Sequence, residues 1–531
     1  MAITAEPEHP VAETNLAATE GSGLSPLRLG IVVFMGGAGT LATEIAASRL
    51  LAPFFGSSTI VWANIIGLIL IYLSVGYWIG GRVADRWPNP RLLGSIILIA
   101  AAAVAALPFV ARPVLGAALE GFDALSAGAV VASFFSALAL FAIPITLLGM
   151  VAPFAIRLAI STVQTAGTVA GRLYALSTVG SILGTFISAI ITIPLIGTQR
   201  TMLGAAVLLA FSAALLLGPR WQLVTAAFAA LLAIPAGTVK ASEGLIFETE
   251  STIQYIQVVE RADGTRSLKL NEGVASHSIW RADSVLTGGV WDTFLVVPPL
   301  LGRPVESMLV IGNSGGTIAR AFGEFYPTVA IDGVEIDPEV TEVGHRYFGL
   351  DDNPNLTVFD ADGRPHLRLT DKTYDIIVVD AYKQPYIPFY LATREFFELT
   401  RDHLNAGGVL ALNVAAVPTD DRLSRTIAST VRSVFPQVWK WKPLRFNELQ
   451  LSLTSPLSRS ELTSRTEELH AKIAPLGELF RADVVEAVQT ERPLTDDRAP
   501  VELLTDQAII DYIIESGRGL DEDFLPTRPR R

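Results

Sequence analysis

The sequence predicts two unlike halves in one chain: an α-helical transmembrane bundle, followed by an α/β domain of the Rossmann-like, doubly wound kind with a small N-terminal β-hairpin unit. Three observations carry this. Between Arg28 and Arg220 there is no lysine and only four acids, Glu44, Asp85, Glu120 and Asp123, while the remainder is ordinarily charged and supplies most of the net −12. Apolar windows of spanning length recur through that first half, and beyond Lys240 the periodicity changes to the alternation of strands. Further on, Gly312-Asn313-Ser314-Gly315-Gly316, Glu335-Ile336-Asp337, Asp362-Gly363 and Val379-Asp380 succeed one another at the spacing of successive strand ends.

Residues 1–27 are polar and acidic, without the basic start and small-residue cleavage site of a signal peptide, and read as a disordered tail. The bundle is assigned to 28–240. A helix needs roughly 20 apolar residues to cross a bilayer, and windows near 29–51, 58–80, 92–110, 127–148, 172–195, 201–218 and 222–239 qualify, which makes about 7 spans. Arg82, Arg86 and Arg91 after the second span, with Arg157 and Arg172 after the fourth, assign those loops and the N-terminus to the cytoplasm. Seven spans then export the soluble half. Because a nucleoside donor is met in the cytosol, the expectation is a cell-membrane, multi-pass protein with a cytoplasmic catalytic domain, one span being miscounted. The candidates for that miscount are 222–239, interrupted by Pro235, and 127–160, broken by Pro144 and Pro153. Glu44, mid-helix with Arg49 five residues on, is a functional candidate because ionisable groups at membrane depth are costly; a packing contact is the alternative.

Residues 245–300 read as the small β unit. Thr252 to Glu260 alternates as a strand, Ala262-Asp263-Gly264-Thr265 turns, and Ser267 to Asn271 returns. Residues 301–510 form the main domain, and 511–531 a second tail. Met308 to Ile311 is a buried strand entering the glycine turn, and Thr317 to Phe322 begins a helix, the first β-turn-α unit of a doubly wound sheet. Gly312 and Gly315 let the backbone approach a ligand. Glu335, about twenty residues on, is placed to accept from ribose hydroxyls. Asp362 and Gly363 come after a third strand, placed for an adenine amino group, and Asp380 ends a fourth. The turn lacks the full G-x-G-x-x-G spacing and no second mononucleotide half succeeds it, so a single adenosine with a sulfonium arm fits better than a dinucleotide.

The acidic balance and the lack of a basic stripe argue against nucleic acid. With no cysteine, disulfides and thiolate chemistry are excluded. The six histidines pair at no ligand spacing, so no metal is expected.

Gln254, Ile311-Gly312 with Gly315-Gly316, Val334-Glu335-Ile336-Asp337-Pro338, Asp360-Ala361-Asp362-Gly363, Ile377 to Asp380 and Gly407-Gly408-Val409-Leu410 together resemble the spermidine synthases, the polyamine aminopropyltransferases, over about residues 250–440. The runs Glu44 to Pro53 and Leu494 to Glu502 resemble the membrane-fused branch of that family. The resemblance implies a methyltransferase-type sheet and transfer of an aminopropyl group from decarboxylated S-adenosylmethionine, as co-substrate, to an amine such as putrescine, leaving methylthioadenosine. It implies Gln254, Glu335, Asp362 and Gly363 at the donor, Asp380 as catalytic base, no cofactor, a lipid bilayer as surroundings and a homodimer.

The departures fall on the acceptor side. Asn313-Ser314 stands where the family's loop has one more residue and an Asp, and Lys383 stands where the family carries a second Asp for the acceptor's far amine. A lysine ammonium repels a diamine. Tyr382, Asp292, Asp496 and Asp497 are the candidate substitutes, against the plainer reading of Asp496 and Asp497 as a cap or solvated turn. His277 is read as a surface histidine after the hairpin. The alternatives are an S-adenosylmethionine-dependent methyltransferase, and a polyamine transporter or sensor with a nucleoside-binding domain.

Overall fold

The computed structural model describes residues 25–516 apart from 56–58, 125–127, 161, 236–239, 241, 272–274 and 383–385. The expected tails fall largely outside that range, and a final helix, Val501–Ser516, crosses the expected boundary at 511.

Eight helices build the first half: α1 (Pro26–Phe55), α2 (Thr59–Arg86), α3 (Pro90–Ala124), α4 (Gly128–Gly149), α5 (Val151–Ala159), α6 (Ala166–Phe186), α7 (Ile193–Leu217) and α8 (Gln222–Leu231). Five stretches are long and apolar enough to cross a membrane, the last being Val163–Leu217. Its 55 residues would make a straight helix of about 80 Å, well over twice the ~30 Å hydrocarbon core. It therefore folds back. Gly197 takes φ 82°, and the Thr201 hydroxyl donates to the Thr192 hydroxyl at 3.0 Å, nine residues away in sequence. The helix α7 then returns until Leu217 meets Gly94 near the start of α3. From there α8 and its flanking turns lead to Pro235, whose carbonyl accepts from Gln199 at 3.4 Å beside the Gly197 turn. The helix α8 is only 10 residues long, short of what a ~30 Å hydrocarbon core needs.

The helices approach closely through small residues, the usual device where lipid removes the hydrophobic drive between helices. On α6, Gly180 and Gly184 lie directly on the Phe34 and Ala38 carbonyls of α1, leaving no room for a Cβ. Ile66, Leu70, Ile71 and Trp78 stay exposed on the outside, as lipid-facing residues should. Arg82, Arg86, Arg91, Arg157 and Arg172 gather at one end, where Arg157 pairs with Asp85 at 3.0 Å. The soluble half joins the opposite end. One Glu44 oxygen is buried without a partner among the described residues, and Arg49 does not serve it: that guanidinium donates to the Thr252 carbonyl of the soluble half.

The soluble half opens with a four-stranded antiparallel meander, β1 (Leu245–Glu250), β2 (Tyr255–Glu260), β3 (Arg266–Leu270) and β4 (Ser278–Trp280). The expected hairpin is β2–β3, with the strand starting at Tyr255 rather than Thr252 because Ser251 to Gln254 forms a turn. The main sheet comprises β5 (Ser307–Ile311), β6 (Ala330–Glu335), β7 (Leu356–Asp360), β8 (Tyr374–Val379), β9 (Leu404–Ala415), β10 (Gln437–Trp441), β11 (Asn447–Leu453) and β12 (Val485–Glu486). Its order is β12-β10-β11-β9-β8-β5-β6-β7, with β5 to β9 parallel and the other three antiparallel. Met308, Val310, Ile376 and Val378 enter one core layer and Leu309, Ile311, Ile377 and Val379 the other, as the two-residue pleat requires. Connections run outward in both directions from between β5 and β8. That reversal point opens the crevice where such sheets bind ligands.

Replacing Gly184 by valine should therefore push α1 from α6 and destabilise the bundle by about 1–3 kcal/mol. Gly81→Ala, where nothing lies within 4 Å, should be neutral. Thermal unfolding of the two variants in the same detergent checks the contrast.

Candidate active site

At the reversal point the backbones of β5 and β8 touch. Asp380 N–H donates to the Ile311 carbonyl at 2.9 Å, and Gly312, at φ 88°, lies so close to the Asp380 and Ala381 backbone that no side chain fits there. This sets the Asp380 carboxyl, half-buried, at the floor of the crevice. Asn413, near the end of β9, donates its amide to it at 2.7 Å, and the Trp291 indole donates a second hydrogen bond. Burial outweighs both donors and pushes Asp380 up to about 7.

The glycine turn reads the neighbouring strand. Gly312 and Asn313 donate to the Val334 carbonyl at 2.9 and 3.0 Å, Ser314 N–H donates to Glu335 at 2.9 Å, and Gly315 N–H to the Ser278 hydroxyl of β4 at 2.8 Å. Glu335 closes β6 and also accepts from Asp337 N–H at 3.1 Å. It too is pushed up to about 7 by burial. Asp337 accepts from the Ser251 hydroxyl at 2.6 Å and caps the next helix through Glu339 N–H at 3.1 Å. The Gln254 side chain donates to it as well. Gln254, Glu335 and the turn are thus one assembly. Within it both amide atoms of Asn313 and the Ser314 hydroxyl are buried without partners among the described residues. A buried polar group left so is expensive, and its natural complement is a polar ligand.

Asp362 caps the helix Gly363–Leu369, accepting from Arg364 N–H at 3.1 Å and from the Tyr390 hydroxyl at 3.0 Å, and Gly363 packs directly on Ile311. Glu335 and Asp362 stand at the carboxyl ends of the adjacent strands β6 and β7, and Asp380 at the end of β8, with β5 between.

The candidate acceptor-side residues are engaged within the protein. Asp292 accepts from Thr287 N–H, the Thr287 hydroxyl and Gly288 N–H at 2.7–3.0 Å, so it fastens its own loop. Asp496 forms a two-pronged ion pair with Arg364 at 2.7 and 2.8 Å and accepts from Thr393, next to Asp362. Asp497 lies exposed in the adjoining turn. Tyr382 is half-buried beside Asp380 and donates its hydroxyl to the Asn413 carbonyl at 2.9 Å. His277 is half-buried before β4. Lys383 lies outside the described residues. Sequence reasoning missed Asn413 and passed over Trp291, since neither carries a motif and both reach Asp380 through the tertiary fold.

The family described as Spermine/spermidine synthase domain matches residues 295–442. A "Probable polyamine aminopropyl transferase" of Bifidobacterium longum is 34% identical over 296 residues, covering 52% of this chain and 65% of that one, just under two thirds of its length. A "Polyamine aminopropyltransferase" of Vibrio vulnificus is 33% identical over 211 residues, covering 38% of this chain and 70% of that one. An "eEF1A lysine and N-terminal methyltransferase" of Xenopus laevis is 32% identical over 155 residues, but those cover just 22% of it. The chain belongs to the spermidine synthase family, and within it joins the synthase domain to long apolar helices.

If Asp380 must be ionised to act, kcat/KM should fall as pH drops through about 7, far above the usual carboxylate range. Asn413→Ala removes a donor to the ionised form and should move that acid limb upward by about one pH unit. A pH–rate profile of both proteins checks it.

Proposed function

We propose that the chain is an integral-membrane aminopropyltransferase that takes decarboxylated S-adenosylmethionine and a primary amine such as putrescine to spermidine and methylthioadenosine, with no metal or further cofactor. The homodimer implied by the resemblance is part of this reading. The observation that carries it is the half-buried Asp380 at the reversal point, held by Asn413 and Trp291 beside the glycine turn and Glu335.

An alkylamine of pKa ~10 is protonated in water and cannot attack. A carboxylate of ordinary acidity is a poor acceptor for that proton, whereas one raised to about 7 is better matched. The deprotonated amine nitrogen attacks the aminopropyl carbon bonded to the sulfonium. The C–S bond breaks, its electron pair stays on sulfur as a neutral thioether, and the proton leaves by way of Asp380. Glu335 and Asp362 hold the adenosine, and the Asn313 amide stands in the turn where the family has an Asp. The names of the two bacterial relatives agree with this chemistry.

Purified full-length protein given both substrates should release methylthioadenosine and spermidine, and Asp380→Asn should lower the rate by about 10²-fold or more. Mass spectrometry distinguishes the outcomes: consumption of S-adenosylmethionine with methyl transfer would transfer the assignment to a methyltransferase.

We further propose that this domain faces the cytoplasm, where a nucleoside donor is met. The chain has no cysteine, so single substitutions report cleanly. Asp371→Cys should react with a membrane-impermeant maleimide only after permeabilisation. Reaction in intact cells would place the domain outside the cytosol.

A further inference from the structure

The bundle grips the donor side of the soluble domain at two points. From α1, Arg49 donates to the Thr252 carbonyl and lies within electrostatic reach of Glu250 and Asp337. From the Gly197 kink within α7, Thr198 donates its N–H to Glu250 at 2.8 Å and its hydroxyl to the same carboxylate at 2.8 and 3.0 Å. Both grips fall on the four residues before Gln254. That link is the one whose Ser251 hydroxyl and Gln254 side chain hold Asp337, two residues from Glu335.

An arginine at a helix end ordinarily extends to the headgroups and water. Arg49 turns inward instead, against a backbone carbonyl and between two carboxylates of the other domain. A bundle that merely tethered the enzyme would need no charged contact with this link.

We propose that Arg49 is a positioning residue for the donor site, acting through Thr252 and Asp337 to hold Gln254 and the Glu335 turn, so that the transmembrane bundle is a working part of donor binding. The inference rests on the aminopropyltransferase reading. Thr198 holds the same link from a second helix, through Glu250.

The test uses the full chain in lipid nanodiscs, with methylthioadenosine as the binding probe and steady-state kinetics in both substrates. Arg49→Met should weaken methylthioadenosine binding and raise the donor KM about tenfold, the loss of one charge-assisted hydrogen bond, while the amine KM and kcat change less than about twofold. Arg49→Lys should recover much of the difference, and Thr198→Val should shift donor KM in the same direction. Arg220→Gln, at the far end of the bundle, should match the parent. If Arg49→Met and Thr198→Val leave donor binding unchanged, or move both KM values and kcat together, the bundle is an anchor and the proposal fails. If the parent protein binds no methylthioadenosine, it is the aminopropyltransferase reading that fails.

Discussion

Carboxylates cannot be buried unless donors converge on them, and the soluble half is organised around meeting that condition at the carboxyl ends of the parallel strands. Asp380 has Asn413 and Trp291; Glu335 has the Ser314 and Asp337 amides; Asp362 has Arg364 N–H and Tyr390. These donors come from elements far apart in the chain, so the site and the fold form together. At Asp380 and Glu335 the donors do not fully offset desolvation, and both groups stay near 7. A carboxylate held near 7 is better matched to taking a proton from an ammonium ion than one of ordinary acidity.

The contact between Gly312 and the Asp380 backbone links chemistry to topology. It brings β5 and β8 together where the connections diverge, which opens the crevice and puts the glycine turn within reach of Asp380. On the acceptor side the arrangement differs from the sequence-based expectation. Asp292 and Asp496 are tied into internal networks, one fastening a loop and the other gripping Arg364.

In the bundle the governing condition is close helix approach, met by Gly180 and Gly184 against α1. The helices deliver the Gly197 turn and the end of α1 to the same place, beneath the link that carries Gln254.

The sequence by itself determined the two-part architecture, the parallel strands and the positions of Glu335, Asp362 and Asp380 near strand ends. Those features are written in local signals: apolar length, strand periodicity, and glycine or acid at a strand end, each legible within about a dozen residues. The tertiary structure alone decided which carboxylates are free and which are occupied, because a hydrogen-bond partner is a matter of distance. Asp496 and Arg364 are separated by 132 residues, Asn413 and Asp380 by 33. It alone decided that Arg49 serves Thr252 rather than Glu44, five residues away on its own helix, because groups five apart on a helix do not share a face while the meander lies against the helix end.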